Sequence, residues 1–136
     1  MIRYLLDTNI ISELHRPKPH GAVLAWFQRL TSEQVCLSAV TLGELQEGIE
    51  LTRRQDPAKA SAIETWVDQL ESVHLIIPMD GHCFRETARL MRGKEDDLYD
   101  DAMIAATARI HGLKVATRNE RDFVRLAVEI VNPFKS

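Results

Sequence analysis

Five short apolar runs constrain this chain more than any other feature. They are Ile2 to Leu6, Val35 to Ser38, His74 to Ile77, Leu113 to Thr117 and Val128 to Val131, each four or five residues long. Runs of that length, bounded by turn and polar residues, suit strands buried inside a sheet. Helical patterns lie between them, and buried strands alternating with helices imply an α/β architecture with a parallel sheet. In such sheets ligands bind outside the carboxyl ends of the strands, so the residues just after each run are where chemistry is sought.

The helical intervals are punctuated clearly. Val23, Trp26, Phe27 and Leu30 share one helix face, and Pro17 and Pro19 separate that helix from a shorter one around Ile10 to Leu14. Thr41 to Arg53 reads as a helix with Leu42, Leu45 and Ile49 inward. Asp56-Pro57 supplies an N-cap and a first-turn proline for a helix carrying Ile63, Trp66, Val67 and Leu70. Asp80 caps a further helix with Phe84, Ala88 and Met91 expected inward and Gly93 as its stop. A last long helix starts near Asp100, runs through Ile110 and closes at His111-Gly112. No repeat or low-complexity tract breaks the pattern, so residues 1–136 are expected to form a single domain.

Composition excludes several classes. At 45% apolar and 27% charged the chain is ordinary globular material, and 17 Lys+Arg against 20 Asp+Glu leave a net charge of -3. Bulk acidity of that kind argues against a charge-driven nucleic-acid binder. Cys36 and Cys83 have no Cys or His at zinc-site spacing and read as buried structural thiols. Asp7 interrupts what would be the apolar stretch of a signal peptide, and no run approaches the ~18 residues needed to span a bilayer. A cytoplasmic protein without membrane association is expected.

The acids after the strands carry the chemistry. Asp7 closes the first run, with Thr8 and Asn9 behind it as polar groups able to orient a carboxylate, although an N-cap for the next helix would use the same aspartate. Glu44 follows the second run by one helical turn; Thr41-x-x-Glu44 also fits a capping box. Glu47 and Glu50 continue that face as solvated surface. Of the pair Asp100 and Asp101, one can complement the positive helix end and the other is free. The fourth run delivers Arg118, Asn119, Glu120, Arg121 and Asp122, with Asn119 as N-cap the plain alternative. Carboxylates converging at one edge raise each other's pKa unless a cation neutralises them, and hard oxygen ligands suit Mg²⁺ or Mn²⁺. Such an ion activates water and stabilises charge on a phosphate, which is the equipment of a nuclease. No glycine-rich phosphate loop or paired His motif supports nucleotide-triphosphate or zinc chemistry.

LLDTNIISEL at Asp7, LSAVTLGELQEGI at Glu44, DAMIAATARIHGL at Asp101 and VATRNERDF through Asp122, followed by VEIVNPF, together resemble the PIN-domain ribonucleases, specifically the VapC-type toxins and among them the FitB-like group. The resemblance spans nearly the whole chain. It implies a three-layer α/β/α domain with a mostly parallel sheet of four to five strands, whose acidic cluster binds Mg²⁺ or Mn²⁺ and hydrolyses RNA. It implies Asp7, Glu44 and Asp101 as metal-binding catalytic acids, Asp122 as a catalytic helper, and Asn9 and Asn119 as orienting or metal-water contacts. Some relatives carry an aspartate at the position of Asn119, and others an acid just before the phenylalanine, as Asp122 is here. It further implies a cognate antitoxin, with operator DNA bound through that antitoxin, and a toxin homodimer. The acidic loop at Asp96-Asp97 is more charged than the family pattern, with tuning of metal affinity and a solvated loop as its two readings, the second favoured.

RNA must still be met by cations. Arg118 and Arg121 lie beside the last motif, and Arg16 and Lys18 lie in the proline-punctuated loop. Arg85, Arg89 and Arg92 share part of a helix face that reads as solvated. With aromatic content of only 6%, stacking along a long single strand fits poorly, and a folded RNA such as tRNA fits better. Trp26, Phe27 and Trp66 are expected to fill the core or a dimer seam. Two rival classes are a catalytically silent PIN-like binding module and a receiver-like Mg²⁺-binding signalling domain. Retention of the three principal acids argues against the first, and Asp7 standing without an adjacent acid argues against the second.

Overall fold

The computed structural model describes all of residues 1–136. Its centre is one sheet of five parallel strands, β1 (Tyr4–Leu6), β2 (Val35–Ser38), β3 (Leu75–Ile77), β4 (Lys114–Ala116) and β5 (Ile130–Val131), in the order β3-β2-β1-β4-β5. Each strand falls inside its apolar run, and four of them are shorter than it. Ile2, for example, stays outside the ladder and half-exposed at the amino edge. The sheet is wholly rather than mostly parallel. The receiver-like order 2-1-3-4-5 is absent, which removes that rival.

Seven α-helices connect the strands: α1 (Thr8–His15), α2 (Gly21–Gln28), α3 (Ala39–Arg53), α4 (Pro57–Val73), α5 (Gly81–Leu90), α6 (Tyr99–His111) and α7 (Glu120–Val124). Successive strand residues face opposite ways, so the sheet feeds two cores. Leu6, Val35, Leu37 and Ala116 pack with Ile10, Ile11, Val23 and Trp26 on one side. Leu5, Cys36, Ile77 and Val115 pack with Leu90, Ile104 and Phe123 on the other. Ala102, Ala105, Ala106 and Ala108 are fully covered, and their small side chains let α6 lie close to the sheet. The result is three layers, α/β/α.

Helix ends follow the punctuation. The Asp56 carboxylate accepts from Lys59 N–H at 3.1 Å and that of Asp80 from Cys83 N–H at 2.9 Å. Gly112 ends α6 in the left-handed region at φ 67°. Both cysteines are free and buried. The buried face of α5 differs from expectation by one residue: Cys83, Thr87 and Leu90 point inward, while Phe84 is 46% exposed. The Thr87 hydroxyl donates to the Cys83 carbonyl at 2.8 Å, so its polarity is satisfied inside the helix and it can be buried where a phenylalanine looked the better core residue. No helix is long and apolar enough to cross a membrane.

Candidate active site

The strand order reverses between β1 and β4, which open their carboxyl ends side by side. Leu6 pairs with Ala116, and Asp7 N–H donates to the Ala116 carbonyl at 2.9 Å, so Asp7 and Thr117 leave the sheet together. Asp7 is 5% exposed. Its Oδ2 accepts from Thr117 Oγ1 at 2.8 Å and from Asn9 Nδ2 at 3.0 Å, and its Oδ1 from Thr8 N–H at 2.9 Å. Asp7 is thus also the N-cap of α1, and the two readings of that residue coexist.

Glu44 settles differently. Ser38 is the N-cap of α3 and accepts from Val40 N–H at 3.0 Å, which places Thr41 inside the helix and excludes the capping box. Glu44 instead accepts from Thr8 Oγ1 at 2.7 Å, across to the segment that carries Asp7. Asn119 stands at the N-cap position of α7 but makes no side-chain cap bond. Its amide donates to Asp101 Oδ2 and to Asp122 Oδ2, each at 3.0 Å. Asn9 reaches both sides of the cleft, since its Oδ1 accepts from Arg118 N–H at 3.1 Å.

No cation pairs with any of these acids. Burial pushes Asp7 and Glu44 above the ordinary carboxylate range, with the charges of Asp100 and Asp7 adding to the rise at Glu44. Burial, followed by the charges of Asp7, Asp122, Glu44 and Asp100, pushes Asp101 up to about 7. The site is therefore an uncompensated negative well with an all-oxygen donor set, which suits a hard divalent cation. No three acidic, His or Cys side chains close into a ligand cage.

The structure brings Asp7, Asn9, Glu44, Asp101, Asn119 and Asp122 to one edge. Residues 4–129 match the PIN-domain family. The chain belongs to the PIN-domain family. It is 37% identical to the toxin FitB of Neisseria gonorrhoeae, over 96% of this chain and 97% of that one. It is 35% identical to the VapC ribonuclease Y4jK of Sinorhizobium fredii, again over 96% and 97%. Among solved structures, FitAB bound to an IR36 DNA fragment superposes with a TM-score of 0.84 at 34% identity, covering 96% of this chain and 95% of that one.

Within this PIN domain the rim cations divide. Arg118 and Arg121 are exposed beside the cluster, whereas Arg16 is held 3.2 Å from Glu13 and Lys18 stands exposed in its loop. The Arg85, Arg89 and Arg92 face is solvated, as expected, with Arg89 paired to Glu86 at 2.9 Å. Thr8, expected beside Asp7, orients Glu44 instead through its hydroxyl, and the hydroxyl that holds Asp7 belongs to Thr117, which the sequence pattern does not single out. Their signal is position alone: Thr8 directly follows the first acid, and Thr117 is the last residue of its apolar run.

Proposed function

We propose that this chain is an endoribonuclease toxin of a toxin–antitoxin pair, hydrolysing RNA phosphodiester bonds with Mg²⁺ or Mn²⁺ at the acidic edge. One observation carries the reading: Asp7, Glu44, Asp101 and Asp122 stand at one edge, held by hydroxyls and the Asn119 amide, and no Lys or Arg pairs with any of them. Asp7, Glu44 and Asp101 would hold the ion, with Asp122 assisting. When bound, such an ion lowers the pKa of a water and offsets charge growing on a phosphate.

The protein's own groups prepare the site. Thr117, Asn9 and the Thr8 backbone hold Asp7 by neutral donors, so its charge remains available to a cation. Asn119 ties Asp101 to Asp122 with one amide, fixing two acids against their mutual repulsion. Asp101, raised to about 7, carries its proton in part of the population at neutral pH and releases it as positive charge enters. Arg118 and Arg121 stand at the rim to receive phosphates. With bulk aromatic content low, a folded RNA such as tRNA is the expected substrate class.

The partner follows from kinship and surface. The FitAB neighbour is a complex bound to DNA, which supports a DNA-binding antitoxin here and operator DNA contacted through it. Phe84, Tyr99 and Val124 remain 46%, 43% and 69% exposed, leaving apolar surface for an antitoxin or for a second copy in a homodimer. The test is incubation of purified, antitoxin-free protein with total RNA and Mg²⁺, beside Asp7→Asn and an EDTA control. Cleavage by the wild type alone is expected; cleavage that persists in either control, or is absent throughout, would remove the reading.

A further inference from the structure

Arg118 is set apart from the other arginines, several of which, Arg121 included, also lack an ion pair, by the aromatic ring it rests on. Arg16, Arg53, Arg89 and Arg109 each pair with a glutamate, and Lys135 pairs with Glu120 at 2.6 Å. Arg118 makes no ion pair; its guanidinium carbon lies 4.6 Å from the centroid of the Phe134 ring. A ring face attracts a guanidinium without using up its N–H donors, so the charge is placed but not neutralised.

The ring itself is anchored. Phe134 packs against His20 at 5.0 Å between centroids, and its backbone N–H donates to Asn132 Oδ1 at 3.0 Å. Glu13, 7% exposed, accepts from His20 N–H at 2.9 Å and so fixes the residue behind the ring. Lys135 fastens the same C-terminal turn to Glu120, next to Asn119. On the other side, Arg118 N–H reaches Asn9, which donates to Asp7. A free arginine loses considerable rotamer entropy on gripping a phosphate, and a stacked one has lost part of it beforehand.

We infer that Phe134 is a positioning residue: backed by His20, it holds Arg118 ready to grip a substrate phosphate next to the acidic cluster. The inference rests on the RNA-processing reading of the same site, and it assigns the C-terminal turn, residues 132–136, a role in substrate binding.

The experiment measures binding of end-labelled bulk tRNA in EDTA across a salt series, where no cleavage competes, with folding followed by thermal melting. Arg118→Ala should weaken binding and lower the slope of log K against log salt by about 0.7–0.9, one phosphate contact. Phe134→Leu should weaken it about two- to five-fold with the slope kept, because the charge remains but its platform is gone. Phe134→Tyr should restore binding, and Phe134→Leu should add nothing in the Arg118→Ala background. Phe134→Met replaces the leucine variant if that one fails to fold. No weakening by the ring-less variant, no rescue by tyrosine, or full additivity with Arg118→Ala each overturns the inference. Coupling without any Mg²⁺-dependent cleavage by the wild type would remove the ribonuclease reading alone; cleavage without coupling would remove this inference alone.

Discussion

Two groups of carboxylates in this protein differ in their partners. Glu13, Glu50, Glu64, Glu86 and Glu120 all accept from an arginine or lysine, and all are held below the usual carboxylate range. Asp7, Glu44 and Asp101 accept only from hydroxyl, amide or backbone N–H groups, and all are pushed above it. Cations are not scarce, with 17 Lys+Arg for 20 acids, and Arg118 stands beside the cluster while leaning on a ring. The difference teaches that the carboxyl edge is left unneutralised by placement, at a cost in stability, and this sets its acids apart from the paired surface acids.

The largest test of that contrast is Asp101→Asn. RNA cleavage should fall by on the order of 10²–10³, while the protein in EDTA at pH 8 should melt several degrees higher. The sign follows from proton linkage. Asp101 titrates at about 7 when folded, against an ordinary value of 3.8, so folding takes up a proton between those values. Stability is lost as pH rises through that window, and the loss is complete above 7. The amide cannot ionise and escapes it. Mg²⁺ at ten times its Kd should stabilise the wild type by ~1.4 kcal/mol and this variant by much less. A variant that melts lower than wild type at pH 8 would break the comparison.

Asn119→Asp sharpens it from the other side. The substitution deletes the donor that ties Asp101 to Asp122 and adds another charge to the well. In EDTA at pH 8 the variant should lose about 1–2 kcal/mol, read by thermal or urea melting. Mg²⁺ titration of the same melting temperature should show a tighter midpoint, because a cation gains another acid. If Mg²⁺ binds more weakly instead, the amide acts on the metal site directly rather than as a brace between acids.

How much of this was legible beforehand depended on whether the deciding partner was local. Strand runs, the Asp56 and Asp80 caps and the Gly112 stop are short-range, and they appear in the fold close to where the pattern placed them. Asp7, Glu44, Asp101 and Asp122 were legible as candidates because each lies just after a strand or within the first two turns of a helix at the same edge; their role at a metal is a proposal. The burial of Thr87 in place of Phe84 was not, since it turns on one hydroxyl finding the Cys83 carbonyl. Nor was the exclusion of the Thr41 capping box, which needed Ser38 to start the helix three residues earlier. The bonds from Thr8 to Glu44, Thr117 to Asp7 and Arg118 to Phe134 join distant segments, and only the folded sheet brings them together.

Glu86→Gln probes the paired population and carries the smallest expected effect on activity. Glu86 accepts from Arg89 at 2.9 Å and from Arg109 at 2.8 Å, and Arg109 also donates to the carbonyl of Ala127, a non-glycine residue at φ 50°. Removing the carboxylate leaves two arginines without their acid and loosens the brace on a strained residue just before β5, a loss of about 1 kcal/mol. RNA cleavage should stay within about twofold, because none of these groups touches the acidic edge. The pH signature runs opposite to that of Asp101. Glu86 is depressed below its ordinary 4.5, so its contribution is present above that pH and is lost as pH falls through the folded value. Melting curves should therefore show wild type and Glu86→Gln converging below pH 4.5, and wild type and Asp101→Asn diverging as pH rises towards 7. If Glu86→Gln instead diverged from wild type towards pH 7, the two populations would not be distinct in the way their partners imply.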